Sequence, residues 1–188
     1  MSLFTIINEF KWLIIKRKLK NIKLVILDVD GVLTDGYLFY DHEGNQLKRF
    51  SVKDGLGIKY LQKAGIRLCI VSGGKEDVIK FRAKDLNIDN VYCHIKDKKE
   101  KVETLQRKFN LKKENTLYLG DDLNDLTVKN SVELLISPNN ASKGLKKSCD
   151  AILNQNGGQD AVRELSERLL KGTKIMKIFE KEGFLDCN

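Results

Sequence analysis

The chain has four cysteines and two histidines in 188 residues, and their placement rules out two architectures. Cys69, Cys93, Cys149 and Cys187 form no C-x-x-C pair, and none stands at ligand spacing from His42 or His94. A zinc module and a disulfide-stapled secreted domain are therefore disfavoured, and a reducing, cytoplasmic setting is expected. Cys69 lies inside an apolar, strand-like run, where a buried thiol is expected. Long apolar runs are missing too. The best candidate, Leu3 to Ile15, is interrupted by Glu9 and Lys11, is too short to span a bilayer, and precedes no small-residue cleavage site. Repeats, low-complexity tracts and an interdomain linker are also lacking, so one domain with a substantial core is expected.

Positive charge is concentrated rather than spread. The formal net charge is +8, yet residues 1–23 carry six Lys/Arg against one Glu, and residues 171–188 carry four Lys against three acids. Little surplus is left for the body of the chain, which argues against a nucleic-acid footprint. The amino-terminal segment, about residues 1–20, reads as a basic amphipathic helix packing on a neighbouring surface. A peripheral membrane contact through Trp12 and Lys16–Lys18 stands second to that reading.

Apolar strand-like runs alternate with helical segments. Strands are expected at about residues 23–29, 67–71, 90–93 and 116–119, with helices opening at Asp54-Gly55, after Ser72–Lys75 and in the charged run Lys96–Lys101. Further helices are expected over 159–171 and 174–182. An aromatic-rich hairpin, Tyr37–Tyr40 and Gln46–Phe50, turns through Asp41–Asn45. This order gives a doubly wound, Rossmann-like α/β fold of three layers with parallel core strands. It divides into the amino-terminal helix, a body over 21–171 and a carboxyl-terminal helix and tail over 172–188.

Two acidic clusters follow strands: Asp28-Val-Asp30-Gly31-Val-Leu-Thr34-Asp35 and Gly120-Asp121-Asp122-Leu-Asn-Asp125. Carboxylates just past the carboxyl ends of buried parallel strands converge on the crevice where open α/β sheets bind ligands. So many carboxylates together require a cation, and oxygen ligands favour a hard one. Asp28 and Asp30 are two residues apart and face the same way on an extended segment. Asp28 is the candidate nucleophile, attacking phosphorus to form an aspartyl-phosphate. Asp30 is the candidate acid and base. Asp121, with Asp28 and a backbone carbonyl near Asp30, would hold magnesium, while Asp122 and Asp125 orient water, metal or lysine. Ser72 and Gly73 offer a hydroxyl and backbone N–H groups to a phosphate. Lys98 supplies a compensating cation, although alone it reads as solvated surface, and Lys96 or Lys99 could replace it. A phosphoacceptor receiver domain combines the same groups, but its acceptor Asp ends the third strand, where this sequence has none.

These motifs, with Phe50–Ile58, Val71-Ser-Gly73, Arg82 and Asn156–Glu164, resemble the haloacid-dehalogenase superfamily of aspartate-nucleophile phosphatases over Asn21 to Leu170. More narrowly, they resemble its capless 3-deoxy-D-manno-octulosonate 8-phosphate phosphatases and relatives acting on nonulosonate 9-phosphates. The resemblance implies magnesium, a small acidic phosphosugar substrate feeding lipopolysaccharide, and a homotetramer in which hairpin and tail cover a neighbour's site. It also implies substrate contacts from Ser51, Lys53, Asp54, Gly55, Lys59 and Arg82. Lys75, seven residues before Arg82, would share its helical face and point to the same rim. The sequence departs from the family pattern at Gly74-Lys75, where octulosonate phosphatases carry arginine directly after Ser/Thr-Gly. It departs again at His94, where glycine is usual. Arginine and lysine are not equivalent in binding a carboxylate, so the nine-carbon substrate stays open.

Overall fold

The computed structural model describes residues 3–75 and 77–184. Cys187 lies outside them. Helix α1 (Leu3–Leu19) leads into β1 (Leu24–Leu27), followed by the hairpin β2 (Phe39–Tyr40) and β3 (Gln46–Leu47). Then come α2 (Val52–Lys63), β4 (Arg67–Val71), α3 (Asp77–Asp85), β5 (Val91–Tyr92), α4 (Lys98–Phe109) and β6 (Thr116–Leu119). The chain closes with β7 (Leu134–Ser137), α5 (Lys143–Ser148), β8 (Ala151–Ile152), α6 (Ala161–Leu170) and α7 (Lys174–Glu182). The main sheet is parallel, in the order β5-β4-β1-β6-β7-β8.

The core strands are apolar throughout because both faces are covered. Val25 and Leu27 enter one cluster with side chains from α1, α2, α3, α6 and α7. Leu24 and Ile26 enter the other, with Val102 and Leu105 of α4 and Leu145 of α5. The alternation is the period of two expected of a strand, and it produces the three expected layers.

β1 lies between β4 and β6. From β1 the chain builds outward to β5, then returns across the sheet to β6. That reversal is a topological switch point, and it opens a crevice above the tips of β1 and β6. Leu27 pairs with Leu119, so the two acidic clusters leave the sheet side by side.

Several boundaries differ from the expected ones. β1 ends at Leu27, and Asp30 sits in a turn, so the alternation argument does not reach it. α2 starts at Val52 rather than Asp54, because the Ser51 side chain accepts the Asp54 N–H and caps it. α3 begins only at Asp77. Lys75 therefore precedes the helix and shares no helical face with Arg82, and Ser72 caps a turn instead, accepting the Gly74 N–H at 3.0 Å.

α1 docks on the sheet edge. Asn8 donates to the Ile152 carbonyl at 2.7 Å and accepts the Ile152 N–H at 3.0 Å, matching β8 as a further strand would. Trp12 Nε1 donates to the same carbonyl. Trp12 is buried, with the Arg168 guanidinium 4.4 Å from its ring centroid, so it cannot make the membrane contact considered from the sequence.

Candidate active site

The β1 and β6 tips bring Asp28, Asp121 and Asp125 together, each offering a carboxylate oxygen within 4.8 Å of the others. Lys98 lies between two of them. Its Nζ donates to Asp28 Oδ2 at 2.6 Å and to Asp125 Oδ1 at 2.7 Å. It is 2 % exposed, while Lys96 and Lys99 point to solvent. The solvated-surface reading of the charge run therefore fails at Lys98, and its neighbours cannot stand in for it. Asp97 caps α4 by accepting the Glu100 N–H, which places Lys98 at the first helical position and turns it inward.

Asp125 is fully engaged. Oδ1 accepts from Lys98 and from the Tyr118 hydroxyl at 2.9 Å, and Oδ2 accepts the Asp121 N–H at 2.9 Å and the Asp122 N–H at 3.3 Å. It is a positioning group. Asp122 turns aside to accept the Leu123 N–H. Within the cluster, the carboxylates with capacity left for a cation are Asp28 and Asp121. Asp30 adds no side-chain oxygen to the cluster. Its carboxylate accepts from Lys48 of the hairpin and lies with the Ser72 hydroxyl against Gly74.

Electrostatics identify the missing charge. Burial, then the charge of Asp125, raise Asp28 to about 6 against the pull of Lys98. Burial, then Asp28 and Asp125, raise Asp121 to about 7. Burial draws the Lys98 ammonium down, but the two carboxylates outweigh it and hold it above its ordinary value. Three acids against one buried lysine leave uncompensated negative charge, which a hard divalent cation suits. Gly31 keeps the room: it adopts φ +78°, and a Cβ there would stand 2.1 Å from Asp121 Oδ2.

A second group lies where the start of α2, α3 and the loop before α6 meet. Ser51 Oγ donates to Asp160 Oδ1 at 3.0 Å, Lys53 pairs with Asp160 Oδ2 at 2.9 Å, and Arg82 donates to the Ser51 carbonyl at 3.0 Å. Gly55 lies beneath Arg82, since a Cβ there would be 2.7 Å from its guanidinium. Asp54 is buried and accepts the Arg163 N–H through Oδ1. The loop carrying Asp160 joins this group to the first acidic cluster through the Gly158 N–H to Val32 carbonyl bond. Lys59 is half-buried on α2, and Lys75 is exposed.

Lys48, Tyr118 and Asp160 lie in segments recognised from the sequence, but the sequence alone assigns none of them a role at the site. Tyr118 has a signal, as a phenol in the apolar run before G-D-D, and Asp160 has another, as part of the Asn156–Glu164 motif. His94 takes φ +56°, the left-handed region that explains glycine as the usual residue there.

A family model of haloacid dehalogenase-like hydrolases matches residues 48–128. The chain is 37 % identical over 171 residues to 3-deoxy-D-manno-octulosonate 8-phosphate phosphatase of Haemophilus influenzae, covering 90 % of this chain and 95 % of that protein. The chain belongs to the 3-deoxy-D-manno-octulosonate 8-phosphate phosphatase family. The phosphatase of Escherichia coli K12 is 37 % identical over 153 residues, 81 % of either chain. A Moraxella catarrhalis phosphatase solved with magnesium, phosphate and KDO superposes with a TM-score of 0.82 at 36 % identity, covering 88 % of this chain and 94 % of its own. A cobalt-bound Haemophilus influenzae structure gives 0.84 at 37 %, covering 90 % and 99 %. Family membership sets the receiver-domain alternative aside.

Proposed function

We propose that the chain is a magnesium-dependent phosphomonoesterase that hydrolyses 3-deoxy-D-manno-octulosonate 8-phosphate through an aspartyl-phosphate. The observation that carries this reading is the Lys98 bridge between Asp28 and Asp125 at the switch point. It holds a carboxylate at a strand tip beside a fixed cation, as in-line phosphoryl transfer requires.

Asp28 attacks phosphorus, and the bond to the sugar oxygen breaks as Asp30 donates a proton to the leaving alkoxide. Asp30, now a carboxylate, takes a proton from water, which attacks the acyl phosphate and frees Asp28 and inorganic phosphate. Lys98 holds the nucleophile in place, and the Ser72 hydroxyl, whose acceptor side is taken by Gly74, donates to a phosphoryl oxygen. Asp28 and Asp121 would hold magnesium, which would supply positive charge to offset that of the carboxylates and the phosphoryl group. Asp125 fixes Lys98 and the Asp121 backbone. The Ser51, Lys53 and Arg82 group faces the sugar acid, its two cations suited to a carboxylate, with Asp54 and Gly55 packed beneath it. Lys59 of α2 is assigned to the same sugar acid by the family resemblance.

Tyr37, Leu38, Phe39, Tyr40 and Leu47 of the hairpin are 46–70 % exposed, an apolar surface beside an uncapped site. Neighbouring subunits of a homotetramer are the cover we assign to it. Free thiols at Cys69, Cys93 and Cys149 support a cytoplasmic location.

The test is phosphate release from a phosphosugar panel with magnesium. Preference for the eight-carbon substrate by kcat/KM supports the proposal. Preference for a nonulosonate 9-phosphate, the reading that Gly74-Lys75 leaves open, would reassign the substrate. No turnover of either would refute the activity.

A further inference from the structure

One face of α1 has no role in the fold or the site. Asn8, Trp12, Ile15 and Leu19 turn inward and are buried. The opposite face presents Ile6, Ile7, Phe10, Leu13 and Ile14, which are 48–64 % exposed. At helical spacing these five form one continuous ridge, more contiguous apolar surface than folding explains.

The charges around the ridge indicate what covers it. Lys18 is held by Glu133 at 2.9 Å, and Lys11 donates to the Cys149 carbonyl. Glu9, the only acid on the helix, is bound by Arg168 at 3.0 Å. Lys16, Arg17 and Lys20 remain, exposed. Arg17 continues the ridge at its carboxyl end, and Lys16 and Lys20 flank it. Apolar side chains bordered by free cations match the boundary between acyl chains and anionic headgroups. A second copy of the same face would bring apolar groups but no anion, because its one acid is already bound. No described helix is long and apolar enough to cross a membrane, so the contact is peripheral.

We propose that α1 docks the protein on anionic lipid surfaces, with Ile6, Ile7, Phe10, Leu13 and Ile14 entering the interface and Lys16, Arg17 and Lys20 meeting the headgroups. The anchor differs from the one considered from the sequence: Trp12 takes no part, and Lys18 is spent on Glu133.

The full chain is sedimented with vesicles of phosphatidylcholine alone and with phosphatidylglycerol added. Binding is expected only to the anionic vesicles and is expected to weaken with salt. Phe10→Asp with Ile14→Asp should abolish it without lowering the melting midpoint, since both side chains are exposed. Replacing Lys16, Arg17 and Lys20 by Gln should weaken it about fivefold per charge, on the order of a hundredfold together. Failure of the parent chain to bind anionic vesicles at low salt overturns the proposal, as does binding indifferent to the two Asp substitutions. A drop in oligomer mass in the Phe10→Asp, Ile14→Asp variant, with no vesicle binding by the parent, assigns the ridge to a second copy and also overturns it.

Discussion

Lys98 Nζ lies 2.6 Å from Asp28 Oδ2, two side chains seventy positions apart in the chain and both buried. The contact ties the tip of β1 to the start of α4. An ammonium with two buried carboxylate partners has no cheap replacement, because removing it leaves both unpaired.

Lys98→Ala should lower kcat about 10²–10³-fold, the scale of losing one preorganised charge stabiliser. It should also destabilise the fold by about 3–5 kcal/mol, as breaking a buried pair does. Lys96→Ala and Lys99→Ala, on exposed side chains, should leave both quantities near the parent values. Steady-state phosphate release and urea melts on the three variants test the ranking. Equal losses at all three would remove Lys98 from its assigned role.

Asp28→Asn should abolish turnover, since a neutral amide cannot attack phosphorus. Stability should behave differently. Asp28 is raised to about 6 by burial and by the Asp125 charge, so a neutral group of the same shape relieves repulsion. The metal-free variant at pH 8 should melt at or above the parent temperature, and a residual rate near the parent's would mean that another group is the nucleophile.

The sheet and the carboxylates were legible because both rest on local pattern. Leu24–Leu27 and Thr116–Leu119 are short apolar runs, and a strand ends where the acids begin. Lys98 stands out by its place in the order of motifs, but its neighbours could not be excluded from the sequence, because that turns on Asp97 capping α4 and so fixing the helical phase. Lys48 and Asp160 were harder still. Each acts only after a hairpin or a loop folds across the rim; nothing near Lys48 marks it, and the Asn156–Glu164 motif marks the segment of Asp160 without singling that residue out. Lys75 shows the opposite failure: a seven-residue spacing carries a facing argument only inside a helix, and α3 starts two residues later.

Magnesium and protons should compete. An unfolded aspartate titrates near 3.8, whereas Asp28 and Asp121 in the fold reach about 6 and about 7. Between those values the folded state holds more protons, so the stability of the metal-free protein falls as pH rises from 5 to 8. The cation reverses the cost by binding the ionised carboxylates. Magnesium should therefore raise the melting temperature more at pH 8 than at pH 5, with each kcal/mol appearing as about 2–4 °C. Calorimetric titration in buffers of different ionisation enthalpy should show proton release on binding near pH 6.5. A magnesium increment independent of pH would place the ion away from these two residues.

Gly31→Ala should separate metal binding from folding. The residue adopts φ +78° and faces Asp121 Oδ2, which an added Cβ would approach to 2.1 Å. The left-handed backbone costs about 1–2 kcal/mol for alanine, a loss the large core tolerates. The contact with Asp121 is not tolerated, so that carboxylate must swing away from Asp28. Half-saturation for magnesium should rise at least about tenfold, within the scale seen when groups supporting a metal site are disturbed. Asp125 and Lys98 remain in place, so part of the kcat should return at high magnesium. Loss of kcat with unchanged magnesium dependence would mean that Gly31 serves the turn alone.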